Sequence, residues 1–327
     1  MPRLAEVQEA ATRRAMARGK EAAWSLVGLA AVALAGWLLV RDVRGLSVAD
    51  IAAAFAAIPL ARWLAALASA ALAYFALANY DRLALEHLGH RLDFRYVAVA
   101  AFTSYALGHN LGAPVLTGGL ARYRAYSAKG LSAWQVGAVV AFTSATFTLG
   151  ALLTGGLALL ARPALAARGF DGPPGLGIVL AALLLAGPWL YVAGALFHLP
   201  PLRVGGVALV YPRPPIAAQQ MLIAPLEILG AAGIVYFALP EAANPGFLDV
   251  LGAFLAAFSA GLISHAPGGL GVLELTFLKA APEIPAAPAL AALLAFRLLY
   301  LLGPLAISLV IAAEFERRRW AARRAAQ

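Results

Sequence analysis

The chain has 327 residues, 62% hydrophobic and 13% charged, with a formal net charge of +9 and no cysteine. A soluble domain is roughly half apolar and a quarter charged, so this composition reads as an integral membrane protein with no stretch able to form a soluble catalytic domain. The absent thiols exclude disulfides, thiolate metal sites and cysteine nucleophiles, and the positive charge, gathered mostly toward the ends, suits anchoring on anionic lipid rather than a basic face for nucleic acid.

In chain order, residues 1–21 mix five basic residues with Glu6, Glu9 and Glu21 and form a basic N-terminal segment. The run 22–40 is long enough to span, and its apolar core is too long for a cleaved signal. A second span covers 60–80 and ends in Tyr80-Asp81-Arg82 before a polar loop. Residues 96–110 are apolar but cover only about 22 Å as a helix, short of a hydrocarbon core of about 30 Å. Residues 112–121 are shorter still. Together they predict a hairpin that enters, breaks at the Asn110–Pro114 turn and returns. Spans follow at 133–160, 177–197 and 217–239, with a proline-rich extended or looped stretch at 198–215. Residues 247–263 and 271–281 form a second broken pair around Ser264-His265-Ala266-Pro267-Gly268-Gly269-Leu270-Gly271. A last span covers 288–313, and the basic tail 314–327 closes the chain.

This predicts an all-α polytopic membrane protein with about six full spans and two opposed re-entrant hairpins. The domain plan is a basic cytoplasmic segment 1–21, a single transmembrane domain 22–313 and a basic cytoplasmic tail 314–327. Charge supports the hairpins. If both return to their side of entry, the inner segments hold 18 Lys and Arg and the outer ones 6, with Arg297 completing the 25. If each were a single crossing, the inner count would fall to 15. Lys and Arg favour cytoplasmic loops, so both termini and the 122–132 segment are expected in the cytoplasm, in a cell (inner) membrane. Two Gly/Pro-interrupted segments in the two halves point to a transport site, and opposed hairpins are what an inverted repeat predicts.

The residues able to carry chemistry cluster at these breaks. Arg297 lies within the last span, where a lone charge costs a few kcal/mol or more. It either pairs with Glu274 or Glu227 or faces an anionic headgroup. Glu227, also within a span, has the same two readings. Glu274 lies in the first turn after the second break, where it favours the helix electrostatically. Gly268, Gly269 and Gly271 permit left-handed backbone. Gly118 and Gly119 suit close helix packing. Arg122 and Arg124 either anchor at the interface or bind phosphate bidentately. No histidine pair has metal-ligand spacing, no nucleophile–base set is visible around Ser264 and His265, and no cofactor is implied.

These same residues carry a resemblance. His109-Asn110-x-Gly112 is followed by Thr117-Gly118-Gly119-x-x-Arg122-Tyr123-Arg124-x-Tyr126 and Gly130-Leu131. Later come Ser264-His265-x-Pro267-Gly268-Gly269-x-Gly271-x-x-Glu274 and Phe296-Arg297-x-x-Tyr300. With Tyr80-Asp81 near the first inner loop, the set resembles the lysylphosphatidylglycerol synthase transmembrane-domain family. The resemblance covers nearly all of the chain after residue 20. It implies flipping of phospholipids between leaflets, with Asp81, Asn110, Gly118, Gly119, Arg122, Arg124, Glu227, Ser264, His265, Gly268, Gly269, Glu274 and Arg297 as substrate-site candidates. The cargo would be an anionic or aminoacylated phospholipid, with hopanoid or cardiolipin as alternatives. Larger members add a cytoplasmic aminoacyltransferase domain, whereas this sequence stops at Gln327, so transferase activity is not carried over and a transporter is expected rather than an enzyme. A scaffold for a lipid-modifying enzyme and an intramembrane headgroup enzyme stay open as rivals. A homo-oligomer and a lipid-synthesis enzyme stay open as partners.

Overall fold

The computed structural model describes residues 47–111, 114–167, 173, 175–204, 207–264 and 266–325. The expected 22–40 span lies outside the described residues. α1 (Val48–Ala56) opens the fold and is capped by Ser47, whose hydroxyl accepts from Asp50 N while the Asp50 carboxylate accepts from Ser47 N. It lies between the expected 22–40 and 60–80 spans, where the sequence marks no element.

The long apolar helices follow. They are α2 (Leu60–His87), α5 (Ala133–Ala161), α6 (Leu176–Leu196), α7 (Pro214–Ala238) and the Ala286–Phe315 run. All five are long and apolar enough to cross a bilayer and match the expected spans. The last run divides into α10 (Ala286–Phe296), a π-turn (Arg297–Leu302) and α11 (Gly303–Ala325). Outward faces carry Leu67, Phe75, Leu183 and Trp189, which a lipid environment tolerates. Of the 198–215 stretch, Pro214 and Pro215 open α7, while the described residues 199–204 and 207–213 are non-helical, as expected, and contain a short antiparallel ladder. There β1 (Leu202–Val204) pairs with β2 (Val207–Leu209) in the register Leu202 to Leu209.

Both hairpins are present. α3 (Phe94–Leu111) and α4 (Pro114–Ser127) pack along each other. Tyr96 donates to the Ala125 carbonyl, and Ser104 lies against Gly118, so the pair is antiparallel. Pro114 opens α4, where its missing N–H is no loss. The open end returns to the side it came from. Leu83 and Leu85 of α2, Val97 of α3, Tyr126 of α4 and Val136 of α5 form one apolar cluster there, and His90 meets Gln135 at 2.8 Å.

The second hairpin is α8 (Phe247–Ile263), a short 3-10 turn (Pro267–Gly269) and α9 (Val272–Ala280). It opens at the opposite end. Asp249 at the start of α8 pairs with Arg162 just beyond α5. Arg62 at the start of α2 pairs with Glu241 and donates to the Leu239 carbonyl beyond α7. α10, which leaves this hairpin, packs on α1. The two hairpins therefore enter from opposite faces.

Two departures matter for function. α2 runs on to His87 and α4 to Ser127, so Asp81 and Arg122, read as loop or loop-flanking residues, sit on buried helix. Small residues bring the spans together, as is usual in membranes. An added Cβ at Gly230 would stand 2.6 Å from the Ser69 carbonyl oxygen, and one at Gly150 would stand 2.7 Å from that of Ala224.

Gly230→Leu should therefore push α7 off α2 and destabilise the fold by roughly 1–3 kcal/mol or more, as overpacking does. Gly137→Ala, where nothing lies within 4 Å, should leave it unchanged within about 0.5 kcal/mol. Thermal unfolding of the purified protein in detergent measures both. Equal midpoints for the two variants would contradict the packing argument.

Candidate functional site

Two guanidiniums sit inside the bundle, and each is held by its own carboxylate. Arg122 on α4 is 4% exposed and Asp81 on α2 is fully buried. The Arg122 Nε donates to Oδ2 of Asp81 at 2.9 Å, and its Nη2 donates to Oδ1 at 2.9 Å. The Tyr126 hydroxyl donates to the same Oδ2 at 2.6 Å. The guanidinium also lies over the Tyr105 ring, 4.3 Å from its centre. Two parallel donors and a third from tyrosine give the carboxylate the partners that a buried charge needs. The pair ties the first hairpin to α2.

Arg297 begins the π-turn. Its Nε donates to Glu274 Oε1 at 2.6 Å, and its Nη1 donates to the Gly268 carbonyl at 2.9 Å. Glu274 also accepts from Gly271 N at 2.9 Å, so it caps α9 as well as pairing. Gly268, Gly269 and Gly271 have φ of 58°, 64° and 75°, which glycine adopts without the Cβ penalty. Ser264 is turned inward on its own chain, donating to the Gly261 carbonyl and accepting from Ala266 N. Arg297, Glu274 and the glycines thus hold the second break closed. His265 lies outside the described residues.

The two breaks meet through the π-turn. Asn110, at the end of α3, donates to the Leu301 carbonyl at 3.0 Å, and the Pro267–Gly269 turn touches α3. Tyr300 in the same turn donates its hydroxyl to Glu227 Oε1 and accepts from Tyr74 at its carbonyl.

A cavity of about 230 Å³ opens between the first hairpin, α5, α7 and α8. Its polar wall is Tyr105, His109, Arg122, Thr143, Ser144 and Glu227, and Phe258 and Leu262 of α8 add an apolar side. Glu227 is 2% exposed. Among the described residues, its Oε2 and the His109 Nδ1 are buried with no hydrogen-bond partner. His109 stacks on the Tyr300 ring at 5.3 Å. The volume suits several waters, each needing about 30 Å³, or a small polar group, but not a whole lipid. An open groove of about 570 Å³ between α4 and α5 shares Val140 and Ser144 with the cavity, and Gly119, Gly137 and Ala141 also line it.

The candidates named from sequence therefore fall into groups. Arg122 and Glu227 line the cavity, and Asp81 supports it from behind. Gly118 lets α3 and α4 close on each other, and Gly119 opens onto the outer groove. Asn110 joins the breaks. Ser264, Gly268, Gly269, Glu274 and Arg297 form the second hairpin's clasp. Arg124 is exposed beside a groove lined by Tyr96 and Phe315. Tyr105, His109 and Thr143 were not among the candidates. His109 could have been, since it opens the first glycine motif.

Asp81→Ala should leave Arg122 buried without its counter-charge and cost about 3–5 kcal/mol. Adding Arg122→Met should recover much of that loss. Unfolding midpoints of the single and double variants decide it. A double variant no more stable than Asp81→Ala would contradict the pairing.

Comparison with known proteins agrees with this architecture. A family model described as the lysylphosphatidylglycerol synthase TM region matches residues 25–308. An uncharacterized protein, slr0712, of Synechocystis sp. is 32% identical over 273 residues, covering 82% of this chain and 83% of that protein. The inner membrane protein YbhN of Escherichia coli (strain K12) is 31% identical over 252 residues, covering 76% and 78%. With the match running through both hairpins, four described spans and most of the last run, the chain is a multi-pass membrane protein that belongs to the lysylphosphatidylglycerol synthase transmembrane-region family.

Proposed function

We propose that this protein moves a phospholipid, anionic or aminoacylated, between leaflets by passing its headgroup through the cavity beside the first hairpin. The observation that carries this reading is that the inner cavity and the outer groove share Val140 and Ser144 in their walls. On this reading these two residues separate a polar cavity inside an apolar bundle from an outward-facing groove. A charged headgroup in hydrocarbon needs partners, which Arg122, Thr143 and Ser144 can offer. The acyl chains fit along the groove and stay in lipid. Asp81 takes two donors of Arg122, which keeps the guanidinium in place without an anion. That arrangement suits a passing headgroup better than a permanently bound one. On this reading the chain is a transporter rather than an enzyme, and lipid is its partner.

The E. coli relative is an inner membrane protein by name, and we place this chain in the same membrane with both ends in the cytoplasm. The 18-to-6 distribution of basic residues supports that orientation. Ser127 and Ala128 are exposed at the open end of the first hairpin. Cysteines placed there in this cysteine-free chain should react with a membrane-impermeant maleimide only from the cytoplasmic face. Ser132 is avoided because it caps α5. Labelling from the outer face alone would reverse the orientation.

Transport is tested in proteoliposomes with a fluorescent phospholipid and an impermeant quencher. The wild-type protein should equilibrate the probe faster than empty vesicles. Ser144→Phe in the shared wall and Gly137→Trp in the groove should slow it at least about tenfold, a barrier of about 1.4 kcal/mol. Wild-type rates equal to those of empty vesicles would overturn the reading.

A further inference from the structure

Glu227 is the one charged group of the cavity wall that the reading above does not use. Its two oxygens have different surroundings. Oε1 accepts from the Tyr300 hydroxyl, whereas Oε2 is buried, without a hydrogen-bond partner. The cations that could neutralise it are engaged elsewhere. Arg122 is bound to Asp81 and Arg297 to Glu274. The groups facing it are otherwise uncharged or weakly basic. They are Tyr300 from the π-turn, Tyr74 and Tyr80 from α2, Tyr105 and His109 from α3, and Thr143 from α5, while α8 contributes apolar Phe258 and Leu262. Tyr80 is itself committed, donating to the Ala224 carbonyl at 2.9 Å.

An ionised oxygen with neither water nor donor costs several kcal/mol. A neutral O–H lacking an acceptor costs only about 1–3 kcal/mol. With so little accessible surface, Oε2 has no room for an ammonium group, but a proton fits. His109, whose Nδ1 also lacks a partner, is a base on the same wall.

We propose that Glu227 is a proton-binding site of the cavity, and that its proton travels with an anionic lipid headgroup. The second half rests on the lipid-movement reading, and the first half does not. The coupling follows from like charges. A phosphate entering the cavity disfavours the carboxylate and so favours the protonated acid. By reciprocity the proton strengthens phosphate binding by the same factor. Proton and headgroup therefore load together and leave together, and a proton gradient drives lipid toward the alkaline side. One proton bound to one carboxylate oxygen balances the step, with no other reactant.

Two measurements on the full chain test this. In nanodiscs, infrared difference spectra between acid and alkaline medium should show the carbonyl stretch of a protonated carboxylic acid, absent in Glu227→Gln. Identical spectra for the two proteins would overturn the proton site. Tyr300→Phe, which removes the donor to Oε1, should shift the pH at which that band appears, and serves if Glu227→Gln fails to fold. In proteoliposomes carrying labelled phosphatidylglycerol, the membrane potential is clamped with potassium and valinomycin. A gradient of one pH unit should then enrich the probe in the alkaline leaflet by up to about tenfold in the wild type and not in Glu227→Gln. A wild-type protein that equilibrates the probe yet ignores the gradient would overturn the coupling. A wild type that moves no probe at all would defeat the lipid-movement reading and the coupling with it, and the infrared result would still decide the proton site.

Discussion

A guanidinium or a freed backbone carbonyl in hydrocarbon must be answered from within the protein, because no water is there to do it. This chain answers both at once. Arg297 meets the carbonyl that the Gly268 turn leaves over and the carboxylate that starts α9. Arg122 meets a carboxylate on another helix. Arg297 ties the turn of the second hairpin to α9, and Arg122 ties the first hairpin to α2. Among the described residues, the cavity wall keeps buried polar atoms without hydrogen-bond partners on Tyr105, His109 and Glu227.

The small residues complete the arrangement. Membrane helices gain little from apolar burial against one another, so they rely on close approach. α2 and α7 meet through Ala66, Ala70, Ala73, Ala224, Ala231 and Gly230. Polar seams add direction. Gln220 of α7 donates to Thr146 of α5 and accepts from Tyr191 of α6. Beside this α2–α5–α6–α7 frame, the described backbone departs from α-helix at the Pro267–Gly269 turn and the Arg297–Leu302 π-turn.

Much of this was legible in the sequence because it depends on local properties. Span length and hydropathy mark α2, α5, α6, α7 and the final run, and glycine spacing marks the left-handed turn at 268–271. The opposed hairpins followed from segment length and the placement of arginines. What was not legible depends on partners distant in the chain. Asp81 looks like an interface residue until Arg122 and Tyr126, forty and more positions later, are seen to enclose it. The cavity wall has the same origin, since Tyr105, His109, Thr143 and Glu227 come from three helices. Nor does the Arg297–Leu302 sequence announce a π-turn, which tertiary contacts to its carbonyls support. α1 is short and capped locally, and its place is set by packing on α10.

The π-turn has a mechanical consequence. Within six residues it holds the second hairpin through Arg297, the spans α2 and α7 through Tyr300, and the first hairpin through the Leu301 carbonyl. Such wide turns pack their backbone less regularly than an α-helix and recur at functional sites. Here the turn acts as a common axle. A tilt of either hairpin would pull on the same helical turn that the other one grips.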